Sequence, residues 1–317
     1  MFPQIIGQKS VKTQLEFFVN VWRAGGVIPP TLFSAPKGSG KSHSLIELSR
    51  LLKKESGGEK QFYVVNCASI KTVDMLIEQL FLKLCVDKKV TIIFDESHAL
   101  KEPINAVLLS LFNINNSNRS SYQHNDMIVD LNFKDQTMLF ASSKINQMDE
   151  ALVDRLFKIE LEFYSQEEMA EMILINEYNI HHDILMDIAS TGRGNARNII
   201  ARTRSISQYL IGEKKTLFEK SDWEKLKKIF GIYPLGISPI ELKVLEILDS
   251  HPEGVTLSKI AAITGLTRST IQQDTEHYLM KLDFIRVTIA GRKITALGQK
   301  YLQDLRGTRH PAEILSA

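Results

Sequence analysis

Residues 35–42 read Ala35-Pro36-Lys37-Gly38-Ser39-Gly40-Lys41-Ser42, and this stretch decides the fold. It follows a short apolar run, Leu32-Phe33-Ser34, and opens a helical period with Leu45, Leu48 and Leu52 on one face. Strand, glycine-rich turn and helix in that order make a phosphate-binding loop. The glycines let successive backbone N–H groups turn inward around phosphate oxygens, and the helix N-terminus adds partial positive charge. Gly38, Ser39 and Gly40 then supply backbone donors, Lys41 reaches the β- and γ-phosphates, and the Ser42 hydroxyl binds Mg²⁺. Ala35 stands where the pattern's first glycine usually sits. The departure is mild, because the closest backbone approach falls at Gly38 and Gly40.

Residues 31–161 alternate short β-rich runs with helical periodicity, the pattern of an α/β domain with a mostly parallel sheet. Four runs read as buried strands: 32–34, 62–65, 90–94 and 137–141. The third leads directly into Asp95-Glu96-Ser97-His98, so two carboxylates lie at the C-terminal end of an apolar strand, where ligands of open α/β sheets gather. Asp95 is placed to hold Mg²⁺ and Glu96 to orient or deprotonate an attacking water, a Walker B arrangement. His98 reads equally as a packing or a functional residue.

Beyond Leu161 the signals are helical up to Phe230, opening on the capping box Ser165–Glu168 and closing on a second one at Ser221–Glu224. The Gly- and Pro-rich stretch 231–239 reads as a linker. A third unit starts at Ser238 with a cap, Pro239 at the first helical position and Glu241 three residues after the cap. It continues as helix, helix over 257–264, a turn at Gly265 and a third helix over 268–282, a helix-turn-helix order. On the third helix Ile271, Tyr278 and Leu282 form a buried stripe and leave Arg268, Ser269, Gln272 and Gln273 outward. Residues 284–294 then alternate around a glycine turn as a hairpin wing, with Arg292 and Lys293 expected at its tip and, with Arg268, as DNA contacts. Winged helices also serve as protein interaction modules.

At 317 residues the chain is long enough for about two domains of roughly 150 residues. Its 44% hydrophobic and 24% charged residues exclude a disordered or low-complexity polymer. No apolar run approaches the roughly 18–20 residues of a membrane span, and the start lacks a basic segment followed by an apolar one, so a cytoplasmic location is expected. Cys67 and Cys85 lack the paired spacing of a zinc site and read as small buried hydrophobes. The formal charge is only +2. From residue 232 onward 10 basic residues face 9 acidic ones, so any DNA contact must be local.

Phosphate loop, Asp95-Glu96 and helical segment in this order resemble an AAA+ ATPase. The opening Ile5-Ile6-Gly7-Gln8 with Val11 and Leu15, the segment Asp95-Glu96-Ser97-His98-Ala99-Leu100 and the C-terminal winged helix narrow the resemblance to the RuvB family, ring motors that drive Holliday junction branch migration. It covers nearly the whole chain. It implies an α/β fold, an AAA+ P-loop NTPase (parallel sheet domain plus helical lid) with a C-terminal winged-helix domain. The boundaries would be residues 1–163 for the ATPase domain, 164–231 for the lid, 232–305 for the winged helix and 306–317 for a flexible tail.

The same resemblance implies site residues. Ile5 and Ile6 lie where such proteins contact adenine, though they also read as a hydrophobic turn packing on the core. Ser142 ends the sensor 1 strand. Arg155 is the sole arginine-finger candidate, since Val153 occupies the position of the family's other arginine, and a surface salt bridge is its alternative role. Arg197 in Gly194-Asn195-Ala196-Arg197 matches sensor 2. ATP and Mg²⁺ are the implied cofactors, duplex or branched DNA the substrate, and a homo-oligomeric ring, a hexamer, the assembly. The family docks a RuvA partner on a hairpin ahead of sensor 1. Here residues 113–126 read NINNSNRSSYQHND, too polar for an apolar docking tip, which weakens the implication of a RuvA-like partner. A clamp-loader or helicase-loader subunit would share the ATPase core but add a C-terminal helical collar. A nucleotide-gated winged-helix regulator could dispense with Glu96 and Arg155.

Overall fold

Two apolar strands set the frame of the first unit. Val90–Asp95 is buried at every position but its last, and Gln136–Ser142 is buried throughout. Strands covered on both faces read as continuous hydrophobic runs and belong inside a parallel sheet. The computed structural model describes residues 1–113, 117–175 and 179–308. The chain divides into two compact units, Met1–Leu217 and Phe218–Ala317.

In chain order the first unit contains α1 (Lys9–Arg23), β1 (Thr31–Ser34), α2 (Lys41–Glu55), β2 (Gln61–Asn66), a π-helical segment Met75–Cys85, β3 (Val90–Asp95) and α3 (Glu102–Leu111). There follow the hairpin β4 (Arg119–His124) and β5 (Met127–Asn132), β6 (Gln136–Ser142), α4 (Glu150–Arg155), β7 (Phe157–Glu160), α5 (Gln166–Leu174), α6 (Leu185–Ser190) and α7 (Ala196–Gly212). The main sheet runs β2-β3-β6-β1-β7, with every pairing parallel. Successive side chains alternate between its faces. Ile92, Phe94, Met138 and Phe140 join a core with the π-helical segment and α3, while Ile93, Leu139 and Ala141 join a second core with α1 and α2. Phe94 and Phe140 stack across adjacent strands with centroids 4.6 Å apart.

The four expected strands are present, with two differences. Residues 61–66 are not a buried strand: β2 is an edge strand, with Tyr63 and Val64 exposed. A fifth strand, β7, pairs with β1 although its Phe-Lys-Ile-Glu sequence carries no apolar run. Cys67 and Cys85 are free and buried in the core, and burial pushes the Cys85 thiol up to about 12.

The second unit opens with α8 (Lys220–Phe230), then α9 (Pro239–Asp249) and α10 (Leu257–Thr264). A third helical run over 268–281 is continuous, with π-type bonding from Ile271 to Glu276. The hairpin β8 (Ile285–Thr288) and β9 (Gly291–Ile294) and a closing helix Ala296–Thr308 complete it. The expected cap at Ser221 moves two residues earlier. Glu219 caps α8 in a reciprocal box with Asp222, so α8 opens at Lys220 and Ser221 lies inside its first turn. Residues 231–239 are less free than a linker. Leu235 carbonyl accepts from Tyr278 Oη at 2.5 Å and Pro234 carbonyl from Tyr301 Oη at 3.0 Å, pinning the turn to this unit. The Ser238–Glu241 capping box of α9 is formed as expected. The closing helix takes in the first residues of the expected tail, and 309–317 lie outside the described residues.

One buried cation in the first unit opposes its stability. Lys60 is 1% exposed, its Nζ donates to the Asp135 carbonyl at 2.6 Å and lies 6.0 Å from the centroid of the Trp22 ring. Burial lowers its pKa from 10.5 to about 8. Below that value the folded chain carries a buried charge, costing on the order of 3 kcal/mol, and the cost falls as pH rises from 8 toward 10.5, where only the unfolded chain still holds the proton. The Asp135 carbonyl also accepts from Val90 N–H, so removing the ammonium leaves no orphaned acceptor. Losing the Nζ hydrogen bond offsets most of the gain from removing the buried charge and leaves about 1 kcal/mol, so Lys60→Met is expected to raise the thermal midpoint at pH 7 by roughly 2–4 °C. The gain should shrink when unfolding is followed at pH 9 to 10.

Candidate nucleotide and nucleic-acid sites

The parallel sheet brings the ends of β1, β3 and β6 to one edge. Between β1 and α2 the chain turns through Gly38 and Gly40, both left-handed with φ of 80° and 89°. Lys41, the first residue of α2, folds its ammonium back under the loop, where Nζ donates to the carbonyls of Ala35 at 2.7 Å and Pro36 at 2.9 Å. Desolvation holds its pKa below the ordinary value, opposed chiefly by the nearby Glu96 and Asp95 carboxylates. Ser39 is buried, and its hydroxyl closes the loop on the Pro36 carbonyl at 2.9 Å. Its contribution to a ligand is thus through the backbone.

At the end of β3 the Asp95 carboxylate meets the Ser42 hydroxyl at 3.3 and 3.4 Å. Two hard oxygen donors beside a phosphate-binding loop fit Mg²⁺. Glu96 takes a left-handed backbone, φ 54°, steadied by its N–H donating to Asp95 Oδ1 at 3.0 Å. That conformation is strained for a non-glycine residue and turns the chain sharply off the strand. The following turn is anchored by Ser97 Oγ donating to the Ala141 carbonyl at 3.0 Å. His98 then bridges two candidate residues. Its Nε2 lies 3.3 Å from Glu96 Oε2, and its Nδ1 lies 3.3 Å from Ser142 Oγ. Ser142 is buried, and its hydroxyl also accepts from Lys144 N–H at 3.1 Å. The sequence left His98 open between packing and function, because the geometry that joins it to Ser142 and Glu96 depends on the β3–β6 pairing.

A cavity of about 500 Å³ opens over the loop. Lys41, Ser42, Asp95, Glu96 and Arg197 line it, as do Ile6, Met172, Ile175 and Ile200, apolar side chains suited to a nucleobase. Ile5 does not line it. It is 2% exposed and packs in the core with α1 and α2, so of the adjacent pair only Ile6 faces the cavity. Met172, Ile175, Ile200 and Tyr164 were missed by sequence reasoning, since apolar residues at helical spacing read as core. Arg197 sits in the first turn of α7, capped by Asn195.

Arg155 does not join this cluster. It ends α4 as an exposed residue, and its Nη1 donates to the Leu109 carbonyl. Val153, which replaces the family's other arginine, is buried in the core. The polar segment ahead of β6 forms the β4–β5 hairpin, turning at Asn125 and Asp126, with Ile128 exposed on β5. Residues 114–116 of the quoted segment lie outside the described residues.

In the second unit Arg268, Gln272 and Gln273 are exposed on the third helical run, as expected. Its buried stripe is Ile271, Thr275 and Leu279, with Tyr278 and Leu282 only half-buried. The wing differs more. Its turn is Ile289 and Ala290, so Arg292 and Lys293 are not at the tip. Arg292 makes a two-pronged ion pair with Glu276, Nε to Oε1 at 2.5 Å and Nη2 to Oε2 at 3.2 Å, and the two side chains are only 15% and 2% exposed. That charge locks wing to helix. Lys293 is half-buried opposite Arg286, which is exposed, and cross-strand partners share one face of a hairpin, so Arg286 and Lys293 form the wing's cation pair.

Comparison with known proteins agrees with this layout. Residues 234–303 match the RuvB C-terminal winged helix domain family. The Holliday junction branch migration complex subunit RuvB of Mycoplasma genitalium is 23% identical over 310 residues, spanning 95% of this chain and 96% of its own. That of Prochlorococcus marinus is 26% identical over 323 residues, spanning 96% and 86%. The solved structure titled Thermotoga maritima RuvB Holliday junction branch migration motor superposes with a TM-score of 0.71 at 21% identity, over 94% of this chain and 95% of that one, and so shares its fold. The fold is α/β of the AAA+ type with a C-terminal winged helix of the RuvB type, and the chain is similar to RuvB subunits over nearly its whole length.

Proposed function

We propose that the chain is an ATP-hydrolysing DNA motor of the RuvB type, driving Holliday junction branch migration as a homo-oligomeric ring on duplex DNA. The observation that carries this reading is the convergence of Lys41, Ser42, Asp95, Glu96 and Arg197 on one cavity in a chain related to RuvB subunits along its whole length. The loop N–H groups and Lys41 would hold the β- and γ-phosphates, and Ile6 with Ile175 and Ile200 would pack on the base. Ser42 and Asp95 would hold Mg²⁺, which when bound neutralises charge on the phosphate oxygens. Glu96 would orient the attacking water and accept its proton, while Arg197 stabilises charge building on the γ-phosphate. Ser142, through His98, fixes the direction in which the Glu96 carboxylate points. Arg155 would complete a neighbouring subunit's site, which requires its guanidinium to leave the Leu109 carbonyl.

DNA-stimulated phosphate release tests the chemistry. Lys41→Ala should abolish turnover, and Glu96→Gln should lower it by about 10²–10⁴ while leaving nucleotide bound. His98→Ala, which frees Glu96 from Ser142, should lower kcat by roughly ten- to hundredfold with little change in nucleotide affinity. A shared site has a further signature. Arg155→Ala alone should lose about 10³-fold or more. Mixing Arg155→Ala with Lys41→Ala subunits should recover activity that neither has alone, since one composite site is then intact. Activity of the mixture no greater than that of its parts would sink the ring reading.

DNA contact is assigned to Arg268, Arg286 and Lys293, which position the backbone without reading sequence. Replacing any of the three by Ala should weaken duplex binding and flatten its logarithmic salt dependence by about one unit. Arg292→Ala should behave differently. It leaves Glu276 buried without a partner and should destabilise the second unit by about 3–5 kcal/mol, read by denaturant unfolding.

A further inference from the structure

Three successive peptide groups of the phosphate-binding loop are bonded through their carbonyls to the segment around β7 and α7. The Lys37 carbonyl accepts from Asn195 Nδ2 at 2.7 Å, the Gly38 carbonyl from Arg197 N–H at 3.3 Å, and the Ser39 carbonyl from Tyr164 Oη at 3.1 Å. In a trans peptide the N–H points away from the C=O. These same three peptides therefore direct the N–H groups of Gly38, Ser39 and Gly40 away from those donors. Among the described residues, these N–H groups have no protein acceptor. They are the donors that a loop of this kind offers to phosphate.

The approach is close enough to exclude side chains. A Cβ on Gly38 would lie 2.1 Å from Asn195 Oδ1, and one on Gly40 would lie 2.6 Å from Tyr164 Oη. The two donors are also tied to each other, since Tyr164 N–H donates to the Gly194 carbonyl at 3.1 Å, next to Asn195. Asn195 caps α7 through Oδ1, which accepts from Arg197 N–H at 2.9 Å, leaving its amide nitrogen for the loop. Burial pushes the Tyr164 phenol up to about 12, so it stays a donor at neutral pH.

We propose that Asn195 and Tyr164 are positioning residues that brace the phosphate-binding loop from behind and couple its phosphate contacts to the start of α7. A hydrogen bond to a peptide carbonyl strengthens that peptide's N–H as a donor. Any rotation of these peptides around a phosphate strains the same bonds, so phosphate occupancy and the placement of α7 share one equilibrium, and each biases the other equally. Arg197 thereby senses nucleotide at two points: the residue lines the cavity, its charge acting on Lys41, and its backbone N–H lies on the loop. The inference rests on the nucleotide-binding reading of the site.

The test uses the full chain with a fluorescent ADP analogue and Mg²⁺, together with hydrogen exchange of the amides over 192–200. Asn195→Ser keeps the helix cap but cannot reach the Lys37 carbonyl, and Tyr164→Phe removes only the hydroxyl, so both should fold. Wild-type protein should bind the analogue, and ADP should slow exchange over 192–200. Each variant should bind roughly fivefold or more weakly, and ADP should no longer slow exchange at that segment. Variants that bind as wild type does, or that bind weakly yet keep the exchange response, overturn the coupling and leave nucleotide binding standing. A wild-type chain that binds no Mg²⁺·ADP overturns both.

Discussion

The parallel pairing of β3, β6 and β1, with apolar side chains covering both faces, is the constraint on which the nucleotide site depends. In register, Val90 to Phe94 lie beside Gln136 to Phe140, and Leu139 to Ser142 lie beside Thr31 to Ser34. Three strands of different sequence therefore end along one edge, where the phosphate loop follows β1, Asp95 ends β3 with Glu96 next, and Ser142 ends β6. No local preference of those segments brings them together. Burial of both faces does, because a slip of one residue would turn every core side chain of a strand to the other face. Stacking of Phe94 on Phe140 adds a specific contact between the two strands that carry Glu96 and Ser142.

The second unit solves a similar positioning problem with charge. Its apolar core, built around Leu245, Leu248, Ile260, Ile271 and Leu279, fixes the helices, but a two-stranded wing has little apolar area of its own. Val255 and Arg292 exchange backbone hydrogen bonds of 2.9 and 2.7 Å, and the Arg292 guanidinium grips Glu276 on the third helical run. Both charges are taken out of water, so the pair is poor evidence of net stability. Its geometry nonetheless holds the wing at a set angle to the helix that carries Arg268. Arg292 is committed inside, whereas Arg286 and Lys293 have no ion-pair partner among the described residues.

Much of this was legible in the residues, and the illegible parts share a cause. The phosphate loop, the Asp95-Glu96 strand end, the Ser165 and Ser238 capping boxes and the order of the winged helix are written locally, in spacing and chain direction. β7 was not, since Phe157-Lys158-Ile159-Glu160 is too short and polar to announce a strand and is one only because β1 offers it a free edge. The parity of Ile5 and Ile6 was invisible for a related reason: adjacent apolar residues look alike until the turn places one in the core. Arg292 was misplaced because a hairpin shows its cations but not a carboxylate sixteen positions earlier on another element. Tyr164 and Asn195 are the same case on the loop.

Charge in the cavity follows from these placements. Lys37, Lys41 and Arg197 face Asp95 and Glu96, and the carboxylates raise the Lys41 pKa while burial and the other cations lower it. Three cations against two carboxylates leave a single positive excess, too little to hold the several negative charges of a nucleotide polyphosphate by side chains alone. Backbone N–H groups of the loop and the α2 N-terminus supply the remaining attraction as dipoles that need no counter-charge when the site is empty. This is why the carbonyl side of those peptides matters as much as the donor side. Dipoles act in proportion to how firmly they are aimed, and in this chain three of them are aimed by the segment whose position nucleotide must control.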